Sequence, residues 1–358
     1  MALKPACSLA AGWLLAGCTH VNPYYDAAKP HHTPEGFRNN HIAQVDKSFS
    51  ELVKWRVEAM REGMPKPPRE ATPVAAPELA RLQSNRSEAS VTWIGHASAL
   101  VQCGGLNVLT DPVFSERASP LSFAGPKRAQ PPGIALADLP PIDVVVISHN
   151  HYDHLDVDTV RALDDRSQGR TLVLVPLGLK PYLEQRGVRN VAELDWWDQR
   201  TVNGVEFRLV PVQHWSARSL GDRNETLWGG WAVFAPGLRW YFSGDAGYSR
   251  DFADTRASLA SHAKDGVLFD VALLAIGAYE PRWFMKQQHM NPAEAIQAHK
   301  DLGAARSIGI HWGTFQLTDE SLDTPPRDLA LAREAMHMAP GEFSVLKIGE
   351  TRWWKMTP

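Results

Sequence analysis

Ser148-His149-Asn150-His151-Tyr152-Asp153-His154-Leu155 follows directly on Asp143-Val144-Val145-Val146-Ile147. An unbroken β-branched series reads as a short strand buried on both faces, so the polar octet sits at a strand's end. It carries three histidines and one aspartate, and imidazole nitrogens and carboxylate oxygens are the usual ligands of zinc. His149 and His151, two apart, project together if the strand period persists. Asp153 and His154 would then curl towards a second ion, and two adjacent ions are a known device for hydrolysing phosphate esters. The competing reading is a polar strand-to-helix loop with histidines there by chance. A pair of roughly four-coordinate ions needs about six or seven protein donors, so more must lie elsewhere.

Three later apolar runs each deliver one. Val205 to Val212 leads through Gln213 to His214, Arg239 to Gly244 leads to Asp245, and Ser307-Ile308-Gly309-Ile310 ends at His311. Any one of these alone is weak, because a strand-end His or Asp is more often a core or turn residue. Together they repeat one arrangement, a strand carrying a ligand to a common edge.

With these positions filled, the chain resembles the metallo-β-lactamase superfamily, whose pattern is His-x-His-x-Asp-His followed by a distant His, an Asp and a last His. The resemblance implies an α+β fold, a four-layer αβ/βα sandwich with two mixed sheets. It also implies two Zn²⁺ ions, one held by His149, His151 and His214, the other by Asp153, His154 and His311, with Asp245 between them. Trp93 to Ala97, Ile147 to Asp156, Gln213-His214-Trp215, Gly244 to Tyr248, Glu280 to Lys286 and Ile310 to Phe315 are similar to one branch, the phospholipases D that hydrolyse N-acylphosphatidylethanolamine. The similarity runs from about Val91 to about Phe315.

That branch implies a phospholipid substrate cut to phosphatidic acid and N-acylethanolamine by a metal-activated water. Catalytic roles fall on Asp153 and Asp245, as ligands, and on His289, which could reach the phosphate or the leaving group. His96, Tyr152, Trp215 and Trp283 are candidate substrate contacts, and Asp111 could orient a ligand imidazole. A turn, capping or buried residue is an equal competitor for Asp111, His96 and His289. A redox iron site is disfavoured, since resembling proteins of that kind carry Glu at the position of His151 and append a flavin domain. Two other classes stay open: a hydrolase of a soluble sugar-phosphate lactone or small phosphodiester, and a non-catalytic metal-binding lipoprotein.

The start of the chain reads differently. Lys4 precedes an apolar stretch from Ala6 to Ala16, too short to span a bilayer, that ends in Leu15-Ala16-Gly17-Cys18. This tetrad resembles the lipobox of bacterial lipoproteins, which implies a signal peptide over residues 1–17, a lipid on Cys18 and a membrane-anchored location in the bacterial cell envelope, facing the periplasm or exterior. Residues 18–88 then read as a tether and extension, and 89–358 as the hydrolase domain. Cys103 would be the one cysteine left for the mature core, packed at a hairpin, and no intrachain disulfide follows. Within the extension, His20 to Asn40 reads as a solvated tether. Asp46 to Met64 reads as a helix whose apolar face could meet the core, lipid or a second subunit, which leaves a homodimer open.

Composition agrees with an enzyme of this size: 358 residues, 44% hydrophobic, suffice for one sandwich domain of roughly 200–250 residues plus an extension. The net charge of -3 offers no footprint for nucleic acid. Thirteen tryptophans, among them Trp196, Trp197, Trp228 and Trp231, would suit a membrane interface, with core packing the competing reading for each. Asn291-Pro292 with Glu294, stopped by Gly303, marks a capped helix, and Thr324-Pro325 opens another.

Overall fold

The computed structural model describes residues 21–42, 45 and 47–354; the Cys18 assignment and the leader lie outside them. A two-stranded hairpin, β1 (His32–Thr33) and β2 (Gly36–Phe37), comes first. β3 (Ala89–Gly95), β4 (Ser98–Cys103), β5 (Leu106–Thr110), β6 (Val144–Val146), β7 (Leu172–Pro176) and β8 (Val191–Leu194) follow. The second half supplies β9 (Gln199–Val202), β10 (Val205–Val210), β11 (Gly230–Ala235), β12 (Leu238–Phe242), β13 (Val271–Ala275), β14 (Ser307–Ile310), β15 (Phe343–Val345) and β16 (Thr351–Trp354).

Two seven-stranded sheets result, ordered β16-β3-β4-β5-β6-β7-β8 and β15-β14-β13-β12-β11-β10-β9. Both are mixed: β3-β4-β5 and β9-β10-β11-β12 run antiparallel, whereas β5 to β8 and β12 to β15 run parallel. The helices are α1 (Phe49–Glu62), α2 (Leu79–Ser84), α3 (Val157–Ser167), α4 (Leu179–Glu184), α5 (Asp251–Ser258), α6 (Arg282–Met285), α7 (Pro292–Leu302) and α8 (Thr324–Ala335).

The β-branched run before the histidines shows how the layers form. Val144 and Val146 join the core that also holds Phe207, Leu209, Trp231 and Trp240 of the other sheet. Val145 and Ile147 point the other way, into a core shared with Val160 and Leu163 of α3 and Leu179 and Leu183 of α4. A strand covered on both faces is therefore apolar at every position. On the far side, Ala295, Ile296, Ala298 and Leu302 of α7 pack beside Ile308 and Ile310, which completes a four-layer αβ/βα sandwich. Helix α7 has the anticipated capping box from Asn291 and Glu294 and the left-handed Gly303 stop.

The extension departs from its expectation. Residues 22–40 are not a solvated tether: Asn22, His31, His32, Phe37 and Asn39 are buried, because His31, His32 and Asn39 find fixed polar partners on the domain, Phe37 joins its core, and Asn22 donates to the Thr33 and Gly36 carbonyls within the segment. α1 forms where anticipated, with Ser48 and Glu51 as its capping box, but its apolar residues divide. Trp55 and Ala59 pack on Phe284 and Met285, whereas Phe49, Val53, Val57 and Met60 stay exposed. Three of the tryptophans follow the core reading, not the interface one. Trp196, Trp228 and Trp231 are buried, and their indole N–H groups donate to the carbonyls of Trp228, Val212 and Ile147, so they are core residues. Among the described residues no helix is long and apolar enough to cross a membrane.

Candidate metal centre

Each candidate ligand stands just beyond the C-terminal end of a strand: residues 149–154 after β6, His214 after β10, Asp245 after β12 and His311 after β14. His96 after β3 and Asp111 after β5 share that edge. Three of these residues, His96, Asp111 and His311, have positive φ. Non-glycine residues rarely adopt that conformation, and it gathers at functional sites where the surrounding fold enforces it. Gly244 has φ +54°, and a Cβ there would lie 2.4 Å from that of Ser148, so the loop bearing Asp245 crosses the histidine loop only with glycine at this position.

The seven predicted donors converge as two groups, each with its ligand atoms within 4.8 Å of one another. One holds His149, His151, His214 and Asp245; the other holds Asp153, His154, His311 and, in addition, His96. In the first, His149 Nε2 lies 2.7 Å and His214 Nε2 3.4 Å from His151 Nδ1. In the second, His154 Nε2 and His311 Nε2 are 3.2 Å apart, and Asp153 Oδ2 lies within 3.5 Å of both. Asp245 faces both groups: Oδ2 is 3.1 Å from His154 and 3.9 Å from His149, and Oδ1 is 3.0 Å from His311.

The set fits divalent cations. Imidazole nitrogens turned towards one another, with a buried Asp245 Oδ1 that accepts no hydrogen bond, leave lone pairs converging on shared points. Burial pushes the His149 pKa well down, that of His151 to about 4 and that of His214 to about 3; neutral imidazole is the form a metal takes. Burial would also lower His154 and His311, but the Asp245 and Asp153 carboxylates override it and raise His311 to about 9. Conversely, burial alone would raise both aspartates, and the charge of His154, joined by that of His311, holds them well below the ordinary carboxylate value. Two buried carboxylates thus demand positive charge at this spot.

The remaining imidazole nitrogens are tied down. Asp111 Oδ2 lies 2.6 Å from His154 Nδ1, and Asp111 also accepts the Ser148 N–H at 2.7 Å and its Oγ–H at 2.5 Å. Ser148 Oγ in turn is 2.8 Å from His149 Nδ1, and the Gln288 carbonyl is 2.9 Å from His214 Nδ1. Partners of this kind select the tautomer that leaves the other nitrogen free for a metal.

A cavity of about 650 Å³ opens onto both groups through His151, Asp153 and Asp245. His289, the candidate catalytic histidine, and Trp215, a candidate substrate contact, line it; burial holds the His289 pKa down at about 3, and its Nδ1 is unpartnered, 3.9 Å from Asp245. The other three candidates do not line it. His96 is buried among the candidate donors, its ring centroid 4.0 Å from that of His311 and its Nε2 3.1 Å from Asp153, so it faces the ligand groups and not the cavity. Tyr152 points into a different groove, its hydroxyl donating to the Arg218 carbonyl, because alternate residues of the ligand loop face opposite ways. Trp283 sits on the outer face of α6, under Lys54, while its neighbours Phe284 and Met285 turn into the cavity.

Three contributors escaped sequence reasoning. The walls include Phe49, Leu52 and Trp55 of α1, far from every motif. Arg218 donates to the carbonyls of Asn150 and Leu155 and stacks on Tyr152, clamping the ligand loop. Asn39 pairs with the backbone of His214 in both directions. Arg218 and Asn39 carry no local signal, each a lone polar residue whose partner is distant in the chain; the periodicity of α1 announces an apolar face but not the cavity it lines.

The sequence profile of the β-lactamase superfamily domain matches residues 106–312. An uncharacterized protein of Mycobacterium tuberculosis is 38% identical over 376 residues, covering 98% of this chain and 96% of its own. The N-acyl-phosphatidylethanolamine-hydrolyzing phospholipase D 1 of Caenorhabditis elegans is 43% identical over 247 residues, 66% of this chain and 67% of that protein. A metallo hydrolase from the archaeon Ignicoccus hospitalis has the same fold, with a TM-score of 0.55, at 20% identity over 76% of this chain and all of its own.

Proposed function

The chain belongs to the β-lactamase superfamily, as a metal-dependent hydrolase, and on that premise we propose that it is a zinc-dependent phospholipase D acting on N-acylphosphatidylethanolamine-type lipids. The products would be phosphatidic acid and N-acylethanolamine. The observation that carries this reading is the character of the cavity. Its floor is the polar His151, Asp153, Asp245 and His289, and its walls are Leu52, Trp55, Trp215, Leu220, Phe284 and Met285. A phosphodiester joined to hydrocarbon chains has that same division. Each methylene that such walls take out of water contributes about 0.8 kcal/mol. Lys47 and Arg223 also line the cavity, cations suited to a phosphate.

His149, His151 and His214 would hold one ion, Asp153, His154 and His311 the other, with Asp245 shared. Bound there, the ions would supply Lewis acidity towards the phosphoryl oxygens and a water of near-neutral pKa. The chain's own residues do the rest. Asp111, Ser148 and the Gln288 carbonyl keep the ligating nitrogens of His154, His149 and His214 unprotonated. His289, neutral through burial, has a free Nδ1 at which a proton bound for the departing alcohol can be held. The apolar walls keep bulk water from the polar floor.

Placement at a membrane is part of the same reading. Phe49 and Leu52 of α1 line the cavity and are exposed, as are Val53, Val57 and Met60 of the same helix, and a lipid on Cys18 would hold the enzyme beside its substrate. The test is direct. Purified protein loaded with zinc should release N-acylethanolamine from N-acylphosphatidylethanolamine vesicles; turnover of a sugar-phosphate lactone or a small phosphodiester, with the lipid left intact, would overturn the lipid reading.

A further inference from the structure

The segment from Asn22 to His41 lies outside residues 106–312, which match the superfamily domain, and provides none of the seven donors. It is nevertheless fastened along its whole length. Near its start, Tyr24 donates to Glu193, while Lys29, His31 and His32 all converge on the Asp195 carboxylate at 2.5, 2.6 and 2.9 Å. Midway, the Phe37 N–H donates to the Asn224 carbonyl, and Gly36 lies so close to that carbonyl that a Cβ would stand 2.1 Å from it. At its end, Asn40 donates to Asp251 and His41 pairs with Asp254.

Between these fastenings stands Asn39, 4% exposed. Its Nδ2 donates to the His214 carbonyl at 2.9 Å, and its Oδ1 accepts the His214 N–H at 2.9 Å. The carboxamide therefore saturates both backbone groups of one residue, as a neighbouring strand would, at a point where β10 has already ended. His214 is thus held twice, its ring by the Gln288 carbonyl and its main chain by Asn39.

We propose that Asn22 to His41 is a positioning strap for the metal centre, in which Asn39 sets the backbone of His214 and the contacts to Asp195, Asn224 and Asp251 hold Asn39 in place. The cluster at Asp195 is not a further metal site. Two imidazole nitrogens and an ammonium already surround a single carboxylate, each contact a donor meeting an acceptor, and Lys29 occupies the place a cation would take. In the metal centre, by contrast, imidazole nitrogens face one another.

The proposal rests on the reading of His214 as a metal ligand. Loss of a partner that orients a ligand costs about 10–100-fold in metal affinity or activity. In full-length protein stripped of metal and titrated with zinc against a chromophoric chelator, Asn39→Ala should weaken the binding of one ion by that factor. Asn39→Asp, which keeps the acceptor for the His214 N–H, should fall between the two and is the variant to use if Asn39→Ala does not fold. Gly36→Val, which pushes the strap off Asn224 with Asn39 intact, should weaken the same ion. Folded Asn39→Ala with wild-type zinc affinity, or with a lowered melting temperature and unchanged affinity, would overturn the strap. Wild-type protein that binds no zinc would overturn the metal centre itself, and the strap's role with it.

Discussion

Asp111→Asn tests the hydrogen-bond chain behind the ligands most sharply. Asp111 is fully buried and accepts three hydrogen bonds, from the Ser148 N–H, the Ser148 hydroxyl and His154 Nδ1. The amide is almost isosteric, so the cavity and packing are unchanged; only one acceptor becomes a donor. If the new N–H₂ faces His154, that imidazole must move its proton from Nδ1 to Nε2, the nitrogen that points at His311 and Asp245. If it faces the Ser148 N–H instead, two donors meet, at a cost of roughly 1–3 kcal/mol. Either way the fold survives with a penalty of that order, while the ion held by His154 loses about 10–100-fold in affinity. Zinc counted by atomic emission, with calorimetric melting and a nitrogen-15 NMR assignment of the His154 tautomer, reads all three effects. Asp111→Asn that keeps two tightly bound ions and His154 protonated on Nδ1 would refute the reasoning.

Three further outcomes follow from other parts of the molecule. Leu52→Asp puts a charge on the apolar wall and displaces two or three methylenes of a bound chain; at about 0.8 kcal/mol each, kcat/KM on a long-chain lipid should drop roughly 30-fold, with far less loss on a water-soluble phosphodiester. Burial alone would raise Asp195, but hydrogen bonds from His31 and Lys29 hold its pKa well below the ordinary value. A depressed folded pKa contributes stability above the unfolded value that is lost as pH falls through the folded one. Asp195→Asn should therefore be less stable by about 1–2 kcal/mol at pH 7, and the gap in urea midpoint should close below about pH 4; a gap independent of pH would count against the ion pair. Cys18→Ala should move the protein from the membrane to the soluble fraction, and unchanged sedimentation with membranes would point to the exposed face of α1 instead.

The candidate metal donors are legible in the sequence because each is announced locally, by an apolar strand that stops at a His or Asp. The helix cap at Asn291 is legible for the same reason, since a capping box spans four residues. What escapes is whatever depends on distant partners. Asn39 and His214 are 175 residues apart, and Trp55 meets Asp319 across 264; nothing beside either residue foretells the contact. Direction is a second blind spot. Tyr152 and Trp283 sit beside true cavity residues but face away, and His96 sits among the candidate donors, facing them and not the cavity. The solvated-tether reading failed over residues 22–40 because polar composition suggests solvent, whereas here polar groups are matched with Glu193, Asp195 and His214.

The division of ligands between the sheets has a consequence for how the molecule comes together. His149, His151, Asp153 and His154 leave β6 of one sheet; His214, Asp245 and His311 leave β10, β12 and β14 of the other. On the proposed assignment each ion would need donors from both, and β16, the last of the described strands, crosses back to finish the first sheet beside β3. On that assignment neither half of the chain could supply both ligand sets by itself, so loading would wait for the two sheets to dock. Ions held in this way would rivet the halves together, and chelation should then part the sandwich along its central seam before it melts either sheet.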